Sequence, residues 1–311
     1  METYYGHKGF KSDKSVVTLG MFDGVHRGHK ALLRALIRKA ESLGAESVVM
    51  TLEPHPHFVL SGGDSSLRIL TSLDEKRELM EKTGIDKLVV IPFSKKLSRL
   101  PACDFIKKYL VDIIGVEHLI LGFDHHFGYQ GYGNGATITE CASRYGFSYD
   151  RLDDPLKEDN KIISSTAIRA LIADGFLDKA NSLLGYPYFL KGKVVEGKKI
   201  GRMLGYPTAN IEPDYSYKLI PADGVYAVEA LLDSGNYKAM LYIGPRPTIE
   251  KNTGKRTIEV NIFDFDNDIY RENITVKFMH RLRGDNKFSS REQLLDQINK
   301  DKAEAMRLLG M

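Results

Sequence analysis

The sequence predicts an α/β domain with a parallel sheet, followed by an all-β domain, a small antiparallel barrel closed by a terminal helix. Three observations carry that expectation. The chain has 311 residues, more than one ordinary core takes and enough for two. Up to about residue 184, β-like apolar runs alternate with amphipathic helical stretches, the order that builds a parallel sheet. Beyond it, short strands follow one another across turn residues, and helical periodicity returns only at the end. The boundary falls at 185/186, giving domains 1–185 and 186–311, and no internal repeat or long low-complexity linker interrupts them.

In the first half, strands are expected at VVTLG (16–20), SVVMTL (47–52), KLVVIPF (87–93) and HLILGF (118–123), with helices near 29–43, 74–83, 102–114 and 136–145. The first helix shows its period through Ala31, Leu32, Ala35, Leu36 and Leu43, with Gly44 as its C-cap. In the second half, strands are expected at 224–232, 237–244, 256–265 and 272–280, with a helix from Ser290 to Leu309. DSGN (233–236) and FDNDIY (265–270) supply turns.

Composition narrows the class. Hydrophobic residues make up 42% and charged residues 27%, the balance of a soluble globular protein. Lys and Arg number 44 against 41 Asp and Glu, a formal charge of +3, too slight to argue for a nucleic-acid partner. No apolar run reaches the ~18 residues of a spanning helix, and METYYGHKGFKSDK lacks a signal peptide's apolar core. The expectation is a cytoplasmic protein with small-molecule substrates and no membrane partner; a homo-oligomer is compatible with the sequence. Cys103 and Cys141 form no CxxC pair and read as two small buried apolar residues, neither a disulfide nor a thiolate metal site. Histidines 26, 29, 55, 57, 125 and 126 match no common zinc spacing.

Each motif of the first half follows a strand end or opens a helix, where the ligand site of a parallel sheet lies. In TLGMFDGVHRGHKALL (18–33), Gly20 and Gly24 let the backbone approach an anion, and His26 and His29 project from one face of the first helical turn. From HxGH alone, a helix with two exposed histidines would read the same. ISSTAIR (163–169) places Ser164, Ser165 and Thr166 at another helix opening with Arg169 one turn on, suited to a leaving pyrophosphate. LGFDHHFGYQGYGN (121–134) sets flat rings among glycines, where Asp124 or Asn134 could bond a planar heterocycle; a glycine-rich surface loop would look similar. LEPHPHFVL (52–60) also ends a strand, its prolines fixing the chain.

In the second half, KGKVVEGKKIGRMLGYPTANI (191–211) combines Gly192, Gly197, Gly201 and Gly205 with four lysines and Arg202, a loop that could fold over phosphates. Thr208 and Asn210 are hard oxygen ligands at alternate positions of an extended segment, within reach of one Mg²⁺. Glu259 stands among apolar neighbours; facing the barrel interior it could accept a hydroxyl proton, facing outward it is a solvated glutamate.

GMFDGVHRGH, EPHP, GFDHHFG and SSTAIR, in this order, resemble the adenylyltransferase module of the bacterial bifunctional FAD synthetases, members of the HxGH nucleotidyltransferase superfamily with a Rossmann-like fold. GRMLGYPTANI, DGVYAV, IGPRPT, EVNIFDFDNDIY and LRGDNKFSS resemble the riboflavin kinase module that follows it in that family. The resemblance implies two reactions, ATP-dependent phosphorylation of riboflavin to FMN and adenylylation of FMN by ATP to FAD with release of pyrophosphate. It makes His26, His29 and Arg169 catalytic in the first module, with Gly20, Phe22, Asp23 and Gly24 completing the ATP loop and Ser164, Ser165 and Thr166 holding the triphosphate. Pro54, His55, Asp124, Phe127 and Asn134 would face the flavin. In the second module it gives Glu259 as base and Thr208 and Asn210 as Mg²⁺ ligands. Gly192, Lys193, Gly197, Gly201, Arg202 and Pro207 would join those two around ATP, with Arg283 at the flavin. The chain departs from the family pattern at Gly131 and Asn134, at Arg271 where a glycine is usual, and at RGDNKF in place of RPExKF. Two alternatives stand beside this reading: a nucleotidyltransferase for another acceptor, such as a pantetheine or nicotinamide nucleotide, and a non-catalytic binding role for the barrel.

Overall fold

The computed structural model describes residues 1–6, 8–62, 66–123, 135–152, 154–197, 205–245 and 256–311. They divide into two compact units, Met1–Ser165 and Thr166–Met311.

The first unit is built on β1 (Glu2–Tyr5), β2 (Ser15–Leu19), β3 (Glu46–Glu53), β4 (Lys87–Pro92), β5 (Val116–Leu121) and β6 (Ser148–Arg151), in spatial order β1-β4-β3-β2-β5-β6. Every pairing in this sheet is parallel. The central strands carry β-branched and apolar residues on both faces, which is what a sheet covered on both sides requires. On one face Val17, Leu19, Val48, Met50, Val89, Leu119 and Leu121 pack with α4 (Ala102–Phe105), its π-type continuation Ile106–Ile114, and α5 (Gly135–Tyr145). Against β2, β3 and β5 lies α1 (Arg27–Leu43), which buries Leu33, Leu36 and Ala40 and ends in Gly44 at φ 58°. Two short helices, α2 (Pro56–Leu60) and α3 (Leu73–Glu81), follow β3; Ser72 and Glu75 close α3 with a reciprocal capping box. A small hairpin, β7 (Lys157–Glu158) with β8 (Lys161–Ile162), precedes α6 (Ser165–Ala173). The strand order reverses between β2 and β5, so the ends of these two strands are the topological switch point.

One expectation is overturned here. Cys103 and Cys141 form a disulfide, with Cα atoms 6.0 Å apart. The two residues lie on α4 and α5, helices that pack against each other, and a separation of 38 residues carries no local pairing signal.

In the second unit, α6 and α7 (Leu177–Leu184) precede a closed barrel of order β10-β13-β12-β11-β14-β9. Its strands are β9 (Phe189–Val195), β10 (Ala209–Pro213), β11 (Gly224–Leu232), β12 (Gly235–Pro245), β13 (Arg256–Ile262) and β14 (Asn273–Arg283). All six pairings are antiparallel. Two of these strands, β9 and β10, lie where the sequence suggested a glycine-rich loop and an extended segment, since four glycines and two prolines within 192–213 hide the alternation. Tyr188, Tyr226 and Phe278 are fully buried and pack ring against ring. Asn181 at the end of α7 holds this cluster, donating to the Phe278 carbonyl (2.9 Å) and accepting from the Tyr188 N–H (2.7 Å). The last helix, α8 (Arg291–Leu308), covers Val225, Ala227, Met240 and Phe263 on the other face of the barrel wall through Ala305. Arg271 adopts φ 71°, the left-handed region in which glycine is least strained, which accounts physically for a glycine being the usual residue there.

Replacing Phe278 by alanine removes the ring shared by Tyr188 and Tyr226. The expected cost is about 3–5 kcal/mol, read as a lowered urea midpoint of the barrel's unfolding transition.

Candidate functional site

In the first unit the chain leaves β2 through a turn of unusual backbone. Phe22, Gly24 and Val25 have φ of 50°, 83° and 36°, and two of these are not glycines. Such conformations cost of order 1–3 kcal/mol each and persist only where surrounding bonds hold them. Those bonds are present and buried. Asp23 Oδ1 accepts from the N–H groups of Leu70 (2.8 Å) and Thr71 (3.1 Å), and Gly24 N–H donates to Thr71 Oγ1 (2.9 Å). Ser165 Oγ donates to the Asp23 carbonyl (2.8 Å), tying the start of α6 to the turn. Asp23, expected at the nucleotide, thus uses its Oδ1 to shape the loop. Gly20 is close-packed, since a Cβ there would stand 3.1 Å from the Phe22 ring.

The turn delivers His26 to the N-cap of α1, where its Nδ1 accepts from the His29 N–H (3.3 Å). The His26 and His29 rings stack with centroids 3.6 Å apart and planes 17° from parallel, and Phe22 meets His29 edge-on at 5.1 Å. The glycine of HxGH has its reason here: a Cβ on Gly28 would lie 3.2 Å from His26 Cε1 and Nδ1. With Nδ1 accepting, His26 presents Nε2 as its donor. Burial, and secondarily Lys30, lowers the His26 pKa to about 4. His29 is held well below the ordinary range by burial, then by His26 and Lys76. Both rings are therefore neutral at physiological pH, hydrogen-bond donors at a helix N-terminus rather than cations.

Of the remaining expected residues, His55 caps α2, its Nδ1 accepting from the His57 N–H (3.2 Å) beside Phe58, and Pro54 before it is exposed. Ser164 immediately precedes α6, and Thr166 and Arg169 follow in that helix, Arg169 donating to Thr166 Oγ1 (2.9 Å). Asp124, Phe127, Gly131 and Asn134 lie outside the described residues, as do Gly201 and Arg202.

In the barrel, sheet register makes the cluster. Asn210 stands directly opposite Glu259 across β10 and β13. Thr208 Oγ1 donates to Glu259 Oε2 (3.3 Å), and Thr257 Oγ1 lies 3.2 Å from Glu259 Oε1 and 3.1 Å from Asn210 Oδ1. Asn261 donates to the Pro207 carbonyl (2.7 Å), anchoring the PTAN segment. Glu259 matches neither alternative posed from sequence. Its register partner Tyr242 shares the face that α8 packs on, so it points away from the apolar interior, yet it is half-buried and hydrogen-bonded rather than solvated. Gly197 is required by close approach, since a Cβ there would fall on the Asn210 amide. Gly192 and Lys193 lie inside β9 rather than in a loop, and a Cβ on Gly192 would strike the Glu212 carbonyl. Arg283 is engaged by Asp301 of α8, its Nε within 3.0 Å of both carboxylate oxygens and its Nη2 2.8 Å from one of them. Sequence reasoning passed over Thr257, Asn261 and Asp301. The polar residues of β13 do alternate (257, 259, 261), and that period was the available signal.

Each unit presents donors and oxygen ligands of the kind that manage phosphate charge, and the class this defines is a two-domain transferase of phosphate-bearing groups. Comparison with known proteins makes it specific. The FAD synthetase family model matches residues 10–167 and the riboflavin kinase family model residues 184–309. The bifunctional riboflavin kinase/FMN adenylyltransferase of Bacillus subtilis is 39% identical, covering 94% of this chain and 92% of its own length. That of Listeria monocytogenes is 38% identical over 98% and 97%, and that of Escherichia coli K12 35% over 95% and 93%. A crystal structure of a macrolide-efflux protein from Streptococcus pneumoniae is 31% identical, with TM-score 0.86 over 97% of this chain and 98% of that one. Among the described residues of this chain, no helix is long and apolar enough to cross a membrane. The chain belongs to the bifunctional riboflavin kinase/FMN adenylyltransferase family.

The buried histidines give the fold a pH signature. His26 is 4% exposed and gives up its proton more readily folded than unfolded, so stability is full above pH 6.5 and drains as pH falls towards 4. On the shift from 6.5 to about 4, the loss by pH 4 is about 3 kcal/mol from this residue. In urea unfolding, His26→Gln should lose about 3 kcal/mol less than the parent between pH 7 and pH 4.

Proposed function

We propose that this protein makes FAD from riboflavin in two ATP-dependent steps. The barrel phosphorylates riboflavin to FMN; the α/β unit transfers AMP from ATP to the FMN phosphate and releases pyrophosphate. The single observation that carries the reading is the pairing of the stacked His26/His29 at the switch point with the Thr208–Asn210–Glu259 cluster, in a chain that belongs to this family along nearly its whole length.

In adenylyl transfer, negative charge accumulates on the α-phosphate and the leaving pyrophosphate. Neutral imidazoles at a helix N-terminus meet it with N–H donors aimed in advance, so little reorganisation is needed as the charge builds. On this reading His26 and His29 donate to the ATP phosphates, the turn at Gly20, Phe22 and Gly24 brings backbone close to them, and Ser164, Ser165, Thr166 and Arg169 hold the triphosphate. Pro54 and His55 face the flavin together with Asp124, Phe127 and Asn134.

For the kinase step, Glu259 accepts the proton of the ribityl hydroxyl as it attacks the γ-phosphate of ATP. Its two neighbouring hydroxyls, on Thr208 and Thr257, orient the carboxylate. The donor set fits a hard divalent cation: Thr208 and Asn210 offer neutral oxygens beside a carboxylate, and would hold Mg²⁺. Bound there, Mg²⁺ would supply positive charge against that of the ATP phosphates. Gly197, Pro207, Gly201 and Arg202 complete the ATP side, with Gly192 and Lys193 anchoring it in β9. Arg283 meets the flavin with the guanidinium N–H groups that its pair with Asp301 leaves over. Functional domains of 1–185 and 186–311 and a cytoplasmic location complete the proposal.

The test is a single incubation of the pure chain with riboflavin, ATP and Mg²⁺, followed by chromatography of the flavins. FMN should appear first and FAD after it, and absence of both overturns the reading. Glu259→Gln should lower FMN formation by at least 100-fold while added FMN is still converted to FAD, and His29→Ala should do the reverse. A folded variant that loses both reactions would break the assignment of one step to each unit.

A further inference from the structure

Helix α3 buries a lysine that the mechanism above does not use. Lys76 is 3% exposed, and its position is well defined: its own N–H bonds to the Ser72 carbonyl (2.9 Å) within the capping box, and Leu79 and Met80 bury the same side of the helix. The ammonium has three hydrogens to place. Among the described residues its one hydrogen-bond partner is Thr51 Oγ1, at a long 3.4 Å. Thr51 lies at the carboxyl end of β3, next to Met50, whose carbonyl accepts from Gly20 N–H at the start of the histidine turn. The ammonium therefore lies one residue along β3 from the backbone contact that starts the histidine turn.

Its surroundings are charged on one side only in part. Burial lowers the lysine's pKa, and Glu53 and Asp23 offset this only in part through space. Asp23, though, already spends a carboxylate oxygen on Leu70 and Thr71. The lysine is close enough to His29 to disfavour a proton there. His29 Nδ1 and Thr18 Oγ1 are themselves buried with no hydrogen-bond partner among the described residues. A buried cation with one long bond, beside unfilled polar atoms and two neutral rings, is a place prepared for an anion.

We propose that Lys76 is a positioning residue of the adenylyl-transfer site, its ammonium supplying the fixed positive charge that draws a substrate phosphate onto His26 and His29. The neutral histidines provide direction and Lys76 provides charge. The anion is a phosphate of ATP or of FMN. This rests on the reading of that site as an FMN adenylyltransferase.

Lys76→Met tests it, since it keeps the shape and removes the charge. Methionine keeps the lysine's apolar stem beside Leu79 and Met80, and Glu53 is only half-buried, so solvent can meet the carboxylate that loses its counter-charge. FAD formation from FMN and ATP should lose at least tenfold in kcat/KM, mostly through KM. A rise in the KM for ATP assigns the charge to the nucleotide's phosphates, a rise in that for FMN to the acceptor's. Riboflavin phosphorylation should stay within twofold and the melting temperature should not fall. FAD formation within twofold of the parent, unchanged KM values, or loss of both reactions together with a lowered melting temperature overturns the proposal. Should Lys76→Met not fold, Lys76→Ala assayed with added ethylammonium should regain FAD formation saturably, and a folded Lys76→Ala that is not rescued also overturns it. A parent chain that makes no FAD from FMN defeats the adenylyltransferase reading instead.

Discussion

The structure of the first unit depends on one contact, the stacking of His26 on His29 with no side chain between them. Gly28 permits it, and everything upstream exists to deliver His26 at the correct height. Two non-glycine residues with positive φ within four positions store a few kcal/mol of strain. That strain is held by buried bonds from three distant segments, 70–71, 165 and the end of β3. The turn cannot relax without leaving several backbone N–H groups unsatisfied, each costing about 1–3 kcal/mol. On the proposed reading, the anion site is thus formed before any anion arrives.

In the barrel, the same result is reached through sheet register instead of strain. Antiparallel pairing places Asn210 opposite Glu259, and a period of two brings Thr257 and Asn261 onto the same face. A slip of one residue between β10 and β13 would turn Glu259 into the apolar interior and scatter the oxygen donors. The glycine at 197 and the hydrogen bond from Asn261 to Pro207 keep β10 from moving. The outward aim of Glu259 suits the role proposed for it, since a carboxylate that is to meet substrate has to stand on a wall that substrate can approach.

The main elements were legible because their periods are strong. The strands at 16–20, 47–52, 87–93 and 118–123 and the first helix match β2 to β5 and α1 to within a few residues. The HxGH stretch follows β2, one of the two strands at the switch point, and Ser165 of SSTAIR bonds to the turn before it. What escaped had a physical reason in each case. Strands β1 and β6 are edge strands of four residues with half-exposed faces, too short to show a period. Strands β9 and β10 are punctuated by glycine and proline. The disulfide joins residues on separate helices, and the role of Asp23 as a loop clamp depends on partners 47 and 48 residues away. Long-range pairings of this kind leave no trace in local composition.

The two sites solve one problem, a dense negative charge, by opposite means. In the barrel, Thr208 and Asn210 set neutral oxygens beside a half-buried carboxylate, and on the proposed reading the positive charge comes with the substrate as a divalent cation. In the α/β unit the histidines have been stripped of charge by burial, and the cations acting on them are separate side chains, Lys30 on His26 and Lys76 on His29. A protonated histidine pair at 3.6 Å would repel itself, and a cation held against two imidazolium rings would make that worse. Keeping the rings neutral removes the conflict and lets both donate to the same group. The stack, the burial and the glycine between the rings are thus one device, in which closeness is possible only because neither ring carries a proton too many.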